Sequence, residues 1–152
     1  MRLGRVVASI LLLMATLIGC ASGPTFAEIE MQLPALRADS GRIYIFRDGW
    51  IGLAVQPDIR INDEVVGTAK PDGFFFVDRP AGTYTVAVKT EAESKLVLSV
   101  AAGETKYVRL DVGIGVVVAR FTPELVDEAE GCDAIRELHY TGGTVSQSNA
   151  LP

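Results

Sequence analysis

The chain has 152 residues, 49% of them hydrophobic, with 14 basic against 19 acidic side chains, two cysteines and one histidine. That is one domain's length, with enough apolar material to bury a core of its own. The acidic balance, spread along the chain, argues against a basic patch for nucleic acid, and one histidine without a cysteine cluster argues against a zinc site.

The first element is a short apolar run. Arg2 and Arg5 precede Val6–Ile18, 13 residues that would span about 20 Å as a helix, short of the roughly 30 Å of a bilayer core. A charged start and a short apolar stretch read as an export signal over residues 1–19, not a membrane span. No later stretch is long and apolar enough to cross a membrane, and Val116–Ala119 is only a buried strand's worth. The run ends in LIGC, Leu17 to Cys20, and resembles the lipobox of bacterial lipoproteins. That resemblance implies cleavage between Gly19 and Cys20, lipid transfer to the Cys20 sulfur, and an anchor of fatty acyl chains such as palmitate. The chemistry suits the residues: small Gly19 lets a peptidase approach the backbone, and a thiolate is the nucleophile that takes the lipid. Each buried methylene adds about 0.8 kcal/mol of membrane affinity, so two or three chains hold firmly. Ala21, where other lipoproteins carry Asp, resembles the pattern that sends such proteins to the outer membrane.

Removal of residues 1–19 takes away only Arg2 and Arg5 as charges, leaving 133 residues with 12 basic and 19 acidic side chains. A lipidated Cys20 cannot pair with Cys132, which is then an unpaired thiol packed as a small apolar side chain. Residues 20–40 hold Gly23, Pro24 and Pro34 with little periodicity and read as a lipidated tether. Glu28–Leu36 carries scattered apolar residues, and whether it docks on the domain is left open.

From residue 41 to 140 the pattern is period-two alternation broken by glycine and proline. Arg42–Arg47, Asp58–Ile61, Glu64–Ala69, Phe74–Asp78, Thr83–Thr90, Lys95–Val100 and Glu104–Val112 read as strands. Asn62-Asp63 is a two-residue hairpin turn that tolerates left-handed backbone, and Lys70–Gly73 is another turn. Gly113–Phe121 is the most apolar piece and is expected to sit centrally. Seven or eight short strands joined by tight turns predict a mainly β fold, an antiparallel β-sandwich or an open barrel, the sandwich being the expectation. Asp127 can cap a helix, with Glu130 completing a capping box, and Ala129, Cys132, Ile135 and Leu138 form one stripe. A short helix over 128–138 is expected to pack on the sandwich, Thr122-Pro123 being a rival start. Residues 141–152 are rich in Gly, Ser, Thr, Gln and Asn and read as a flexible tail.

The stretches GRIYIFRDGW, IRINDEVVGTAKPDGFFFVDRPAGTYTVAVKTE and LSVAAGETKYVRLDVG resemble the domain of unknown function 2846 family of bacterial envelope lipoproteins. The likeness covers about Gly41 to Leu138. It implies a β-sandwich of transthyretin-like or immunoglobulin-like kind and an envelope location, and it brings no catalytic residues.

No catalytic constellation stands out. His139 follows the expected helix at the edge of the tail, no nucleophile elbow is present, and no loop has the regular acidic spacing of a calcium site. Gly113-Ile114-Gly115 lacks the context of a phosphate loop and reads as a bulge or a point of tight packing. The one candidate surface is aromatic. Phe74, Phe75 and Phe76 cannot all face one core, and Asp78 shares a face with Phe74 and Phe76, so that face reads as the less buried. Two readings stand: the helix over 128–138 or the tether covers the outer phenylalanines, or Trp50, in a glycine-rich loop, forms with Phe74 or Phe76 an exposed apolar patch for a partner. The expectation is a non-enzymatic module without catalytic residues, cofactor or metal. It is anchored through Cys20 at the periplasmic face of the outer membrane, and it recruits an envelope protein or glycan or supports envelope structure. The alternative is a small-ligand carrier or an enzyme whose site one sequence does not reveal.

Overall fold

The computed structural model describes residues 21–142. Residues 1–20, which hold the expected export signal, Gly19 and Cys20, and residues 143–152 lie outside the described residues.

Alternating side chains and tight turns build two sheets. Strands β1 (Ser40–Arg47), β4 (Gly73–Pro80), β7 (Thr105–Gly113), β8 (Arg120–Val126) and β9 (His139–Tyr140) form one, in the order β8-β7-β1-β4-β9. Strands β2 (Asp58–Ile61), β3 (Glu64–Thr68), β5 (Gly82–Lys89) and β6 (Glu93–Val100) form the other, in the order β3-β2-β5-β6. The chain is therefore the expected β-sandwich. Most pairings are antiparallel, while β1 runs parallel to β7 and β4 to β9. Asn62 and Asp63 take φ of 48° and 69°, the left-handed pair that closes the β2–β3 hairpin. Ile43, Ile45, Phe75, Val77, Val108 and Leu110 point between the sheets and meet Ile59, Ile61, Val86 and Val88 of the second sheet, all buried.

Every residue of β1 is buried, which means that both faces of the first sheet are covered. The cover on the outer face comes from two short helices, α1 (Phe26–Ile29) and α2 (Glu128–Arg136). Thr25 starts α1 as a capping box, its backbone N–H donating to Glu28 Oε2 at 2.7 Å. Asp127 starts α2 as expected, accepting from the Glu130 N–H at 2.9 Å. The reciprocal half of that box is not made, because the Glu130 carboxylate pairs with Arg109. At Gly131 an added Cβ would lie 2.2 Å from the Tyr107 ring, so only glycine lets α2 lie this close to β7.

Three expectations are corrected. Residues 21–40 are not a free tether: Ala21 and Ile29 are buried, Phe26 meets the rings of Tyr44 and Phe74 edge-on, and Arg42 donates to the Pro34 carbonyl at 2.8 Å. The outer face of β1 and β4 is too apolar to leave wet, and Phe26, Ile29 and Leu33 are the segment that covers it. Gly113–Phe121 is not a central strand. β7 ends at Gly113, residues 114–119 form a loop beyond the sheet, and β8 is an edge strand that tolerates Pro123 there. The tail does not begin at Thr141, whose N–H donates to the Phe74 carbonyl at 2.8 Å as the continuation of β9.

Candidate functional site

Strand directions decide which loops share an end. Arg47 of β1 is opposite Gly73 of β4, β7 runs parallel to β1, and Gly113 of β7 is opposite Arg120 of β8. The loops 48–57, 69–72 and 114–119 therefore gather at one end of the sandwich. The β5–β6 turn joins them, because Glu91 accepts the backbone N–H groups of Val116 and Val117 at 2.8 and 3.0 Å. Ala21, the residue after Cys20, sits at the same end. Its N–H donates to the Pro71 carbonyl at 3.3 Å, and it lies beside Gly73.

Arg47 organises this end from within. Its side chain is fully buried, and it donates to the carbonyls of Ile51, Val55 and Ala69 at 2.7, 2.9 and 2.8 Å. Its guanidinium also lies 4.8 Å from the centroid of the Phe121 ring. Burial pulls its pKa below the ordinary arginine value, against the attraction of Asp72. The guanidinium thus ties the loop 48–57 to the turn before β4, and the Gly49 N–H completes the tie by donating to Asp72 Oδ1 at 3.0 Å. Gly52 has φ of 73°, and an added Cβ would stand 3.0 Å from that of Ala119, so the two long loops touch. At Gly115 an added Cβ would fall 1.9 Å from the Val118 carbonyl and 2.4 Å from Glu91, which is the tight packing that the glycine pair signalled.

What these loops present is apolar. Trp50 is 74% exposed, Ile114 96%, Val116 91% and Val117 83%, with Ile51 and Leu53 also open to solvent. Of the expected partner patch, only Trp50 is placed as read. Phe74 and Phe76 are buried, at 0% and 2% exposure, and that patch does not exist. They do point away from Phe75, on the outer face, but Phe26 and Tyr140 cover them at ring distances of 5.7–5.8 Å. Val116–Ala119, expected as a buried strand's worth, lies instead in this loop with Val116 and Val117 open, because consecutive β-branched residues are also the signature of a buried strand. The flanking Gly113 and Gly115 were the one local signal of a loop.

The remaining chemistry-bearing groups are engaged in packing. Arg42 and Asp78, paired across β1 and β4, form a buried ion pair at 2.7 Å beneath the N-terminal segment, with the Arg42 guanidinium 4.5 Å from the Phe76 centroid. Burial works against the Arg42 charge, but the Asp78 carboxylate outweighs it and the pKa rises. Cys132 Sγ is 3.0 Å from the Tyr107 hydroxyl, whose own pKa is pushed up by burial and by that contact. His139, expected at the edge of the tail, is instead in β9, with Nδ1 2.7 Å from the Gly23 carbonyl. Among the described residues no group of three His, Cys, Asp or Glu is placed to hold a metal. At the opposite end, Gly103–Tyr107 and Leu125–Glu128 line an open groove of about 580 Å³.

Fold and sequence agree on the class, a β-sandwich with its outer face closed by helices. The chain belongs to the family described as protein of unknown function DUF2846, whose model matches residues 37–122. An uncharacterized protein of Haemophilus influenzae is 31% identical over 138 residues, covering 87% of this chain and 82% of the relative. No solved structure matches the chain.

Proposed function

We propose that the protein is an envelope lipoprotein: a non-enzymatic β-sandwich held to a membrane through lipid on Cys20, which presents its distal surface to a protein or glycan partner. The observation that carries the reading is the LIGC box after a charged, 13-residue apolar start. Two features of the folded part support it. Ala21 is packed on the sandwich, so a lipid on its neighbour Cys20 would tether a whole folded module and not a loose strand. His139, Cys132, Arg42 and Asp78 are occupied by contacts within the chain, which favours binding over catalysis. Ala21 also favours sorting to the outer membrane, facing the periplasm.

The test is the mass of the N-terminal peptide from protein expressed in a Gram-negative host, with fractionation of the wild type and Cys20→Ala. The expected result is an N-terminal residue Cys20 carrying acyl chains, a membrane-bound wild type, and a soluble or unprocessed Cys20→Ala form. A free thiol on Cys20, or a wild type in the soluble fraction, overturns the reading. Crosslinking of the anchored protein in intact envelopes then identifies the partner.

A further inference from the structure

We infer that the end of the sandwich carrying Trp50, Ile51, Leu53, Ile114, Val116 and Val117 is a bilayer-contacting surface that dips into the lipid interface beside the anchor. The inference rests on the proposed lipidation of Cys20. It follows from one juxtaposition: Ala21, the residue bonded to the anchoring cysteine, and the open apolar loops share one end of the molecule.

Ala21 fixes the distance. It is 8% exposed and is held by the Pro71 carbonyl, while Asp72 of the same turn is bonded to Gly49, next to Trp50. Cys20 is one peptide unit away, about 3.8 Å between Cα atoms. With no slack between anchor and fold, acyl chains in the bilayer bring this end to the membrane surface. Water-facing loops would meet the headgroups there whatever their composition. These loops carry four side chains more than 70% exposed, which are costly in water and favourable in lipid. Tryptophan is the residue that prefers the interface, its ring apolar and its N–H wet.

The loops are also held in shape. Glu91 clamps the Val116 and Val117 amides, and Arg47 gathers three carbonyls behind Trp50, so polar groups are satisfied behind the apolar tips. The charges nearby are mixed, with Asp48, Asp72 and Glu91 against Lys70 and Arg120, so anionic lipid is not what the surface selects. The occupant is the apolar boundary of a neutral or weakly charged bilayer, entered to about 5–10 Å.

Trp50 is the chain's single tryptophan, and it reports directly. The lipidated protein is reconstituted in phosphatidylcholine vesicles, with and without brominated acyl chains, and its emission is compared with that of the soluble Cys20→Ala form. The expected result is emission at shorter wavelength in vesicles, quenching by bromolipid and protection from aqueous iodide. The lipidated Val116→Asp/Val117→Asp variant, altered only at open loop positions, is expected to stay vesicle-bound and to lose most of the quenching. If lipidated, vesicle-bound wild type keeps a water-like, iodide-accessible Trp50, this inference falls while the anchor stands. The same result would be left by loops that serve a protein partner or a second copy. An unmodified Cys20 thiol overturns the anchor and this inference together.

Discussion

Two apolar triplets in this chain meet opposite fates. Phe74-Phe75-Phe76 lies in β4 and is buried on both faces, whereas Val116-Val117-Val118 lies in the loop beyond β7, with Val116 and Val117 almost fully open. Composition does not separate them; placement does. β4 is flanked by β1 and β9 and covered on its outer side by Phe26 and Tyr140, so each phenylalanine finds a neighbour. The valines come after the sheet has run out. Burial is a property of what arrives from elsewhere in the chain, and an apolar run left without such a neighbour becomes a surface.

The largest effect expected from that contrast is at Phe74. Phe74→Ala removes a fully buried ring that Phe26, Tyr44 and Tyr140 all touch, and should cost about 3–5 kcal/mol of unfolding free energy in urea. It should also loosen the N-terminal segment, seen as faster amide exchange at Ala27–Ile29. A cost below about 1 kcal/mol would show that the outer face is not a second core, and the contrast between the triplets would collapse.

Arg47→Met comes next. The side-chain volume is largely kept while the carbonyls of Ile51, Val55 and Ala69 lose their charged donor. Hydrogen bonds to charged groups are worth about 1.5–3 kcal/mol each, and new water access offsets part of that, so a loss of about 3 kcal/mol is expected. Exchange should accelerate across residues 48–57 more than across β2. Uniform acceleration instead would mean that Arg47 stabilises the core and does not organise the loops. Val117→Ser is the counterpart to Phe74→Ala, and its unfolding free energy should stay within about 0.5 kcal/mol of wild type.

The triplets also mark where the sequence was legible. Local signals were read correctly: β2 spans the residues that alternation gave, the Asn62-Asp63 turn is left-handed, and Asp127 caps α2. Each depends on neighbours a few residues away. Exposure of the triplets depends on contacts between distant segments, Phe26 with Phe74 in one case and the end of the sheet at Gly113 in the other. The docking of residues 21–40 had a local sign as well, since Thr25-Phe26-Ala27-Glu28 is a capping-box sequence followed by Ile29, a helix start within the expected tether. The position of Ala21 against Pro71, on which the site depends, had none. Arg47 ended an alternating strand and gave no hint that it would be fully buried.

The smallest effect expected is confined to the valine loop and sharpens the contrast most. Glu91 holds that loop through its carboxylate, and the amides of Val117 and then Val116 keep its pKa below the ordinary 4.5, burial acting the other way. A carboxylate with a lowered folded-state pKa contributes its stabilisation in full above the ordinary value and loses it as the pH falls through the lower one. The clamp should therefore be intact at neutral pH and open on acidification below 4.5. Protection factors of the Val116 and Val117 amides, followed by NMR from neutral to acidic pH, should drop in that window while those of Phe74–Phe76 hold. Glu91→Gln should remove the pH dependence and leave the global unfolding midpoint in place, because the amide oxygen accepts from only one of the two N–H groups and does not titrate, and the loop lies outside the core. If acid exposes both triplets together, the valine loop belongs to the same cooperative unit as the phenylalanine core. If it exposes only the valines, the apolar end is a separately held surface whose shape depends on one carboxylate.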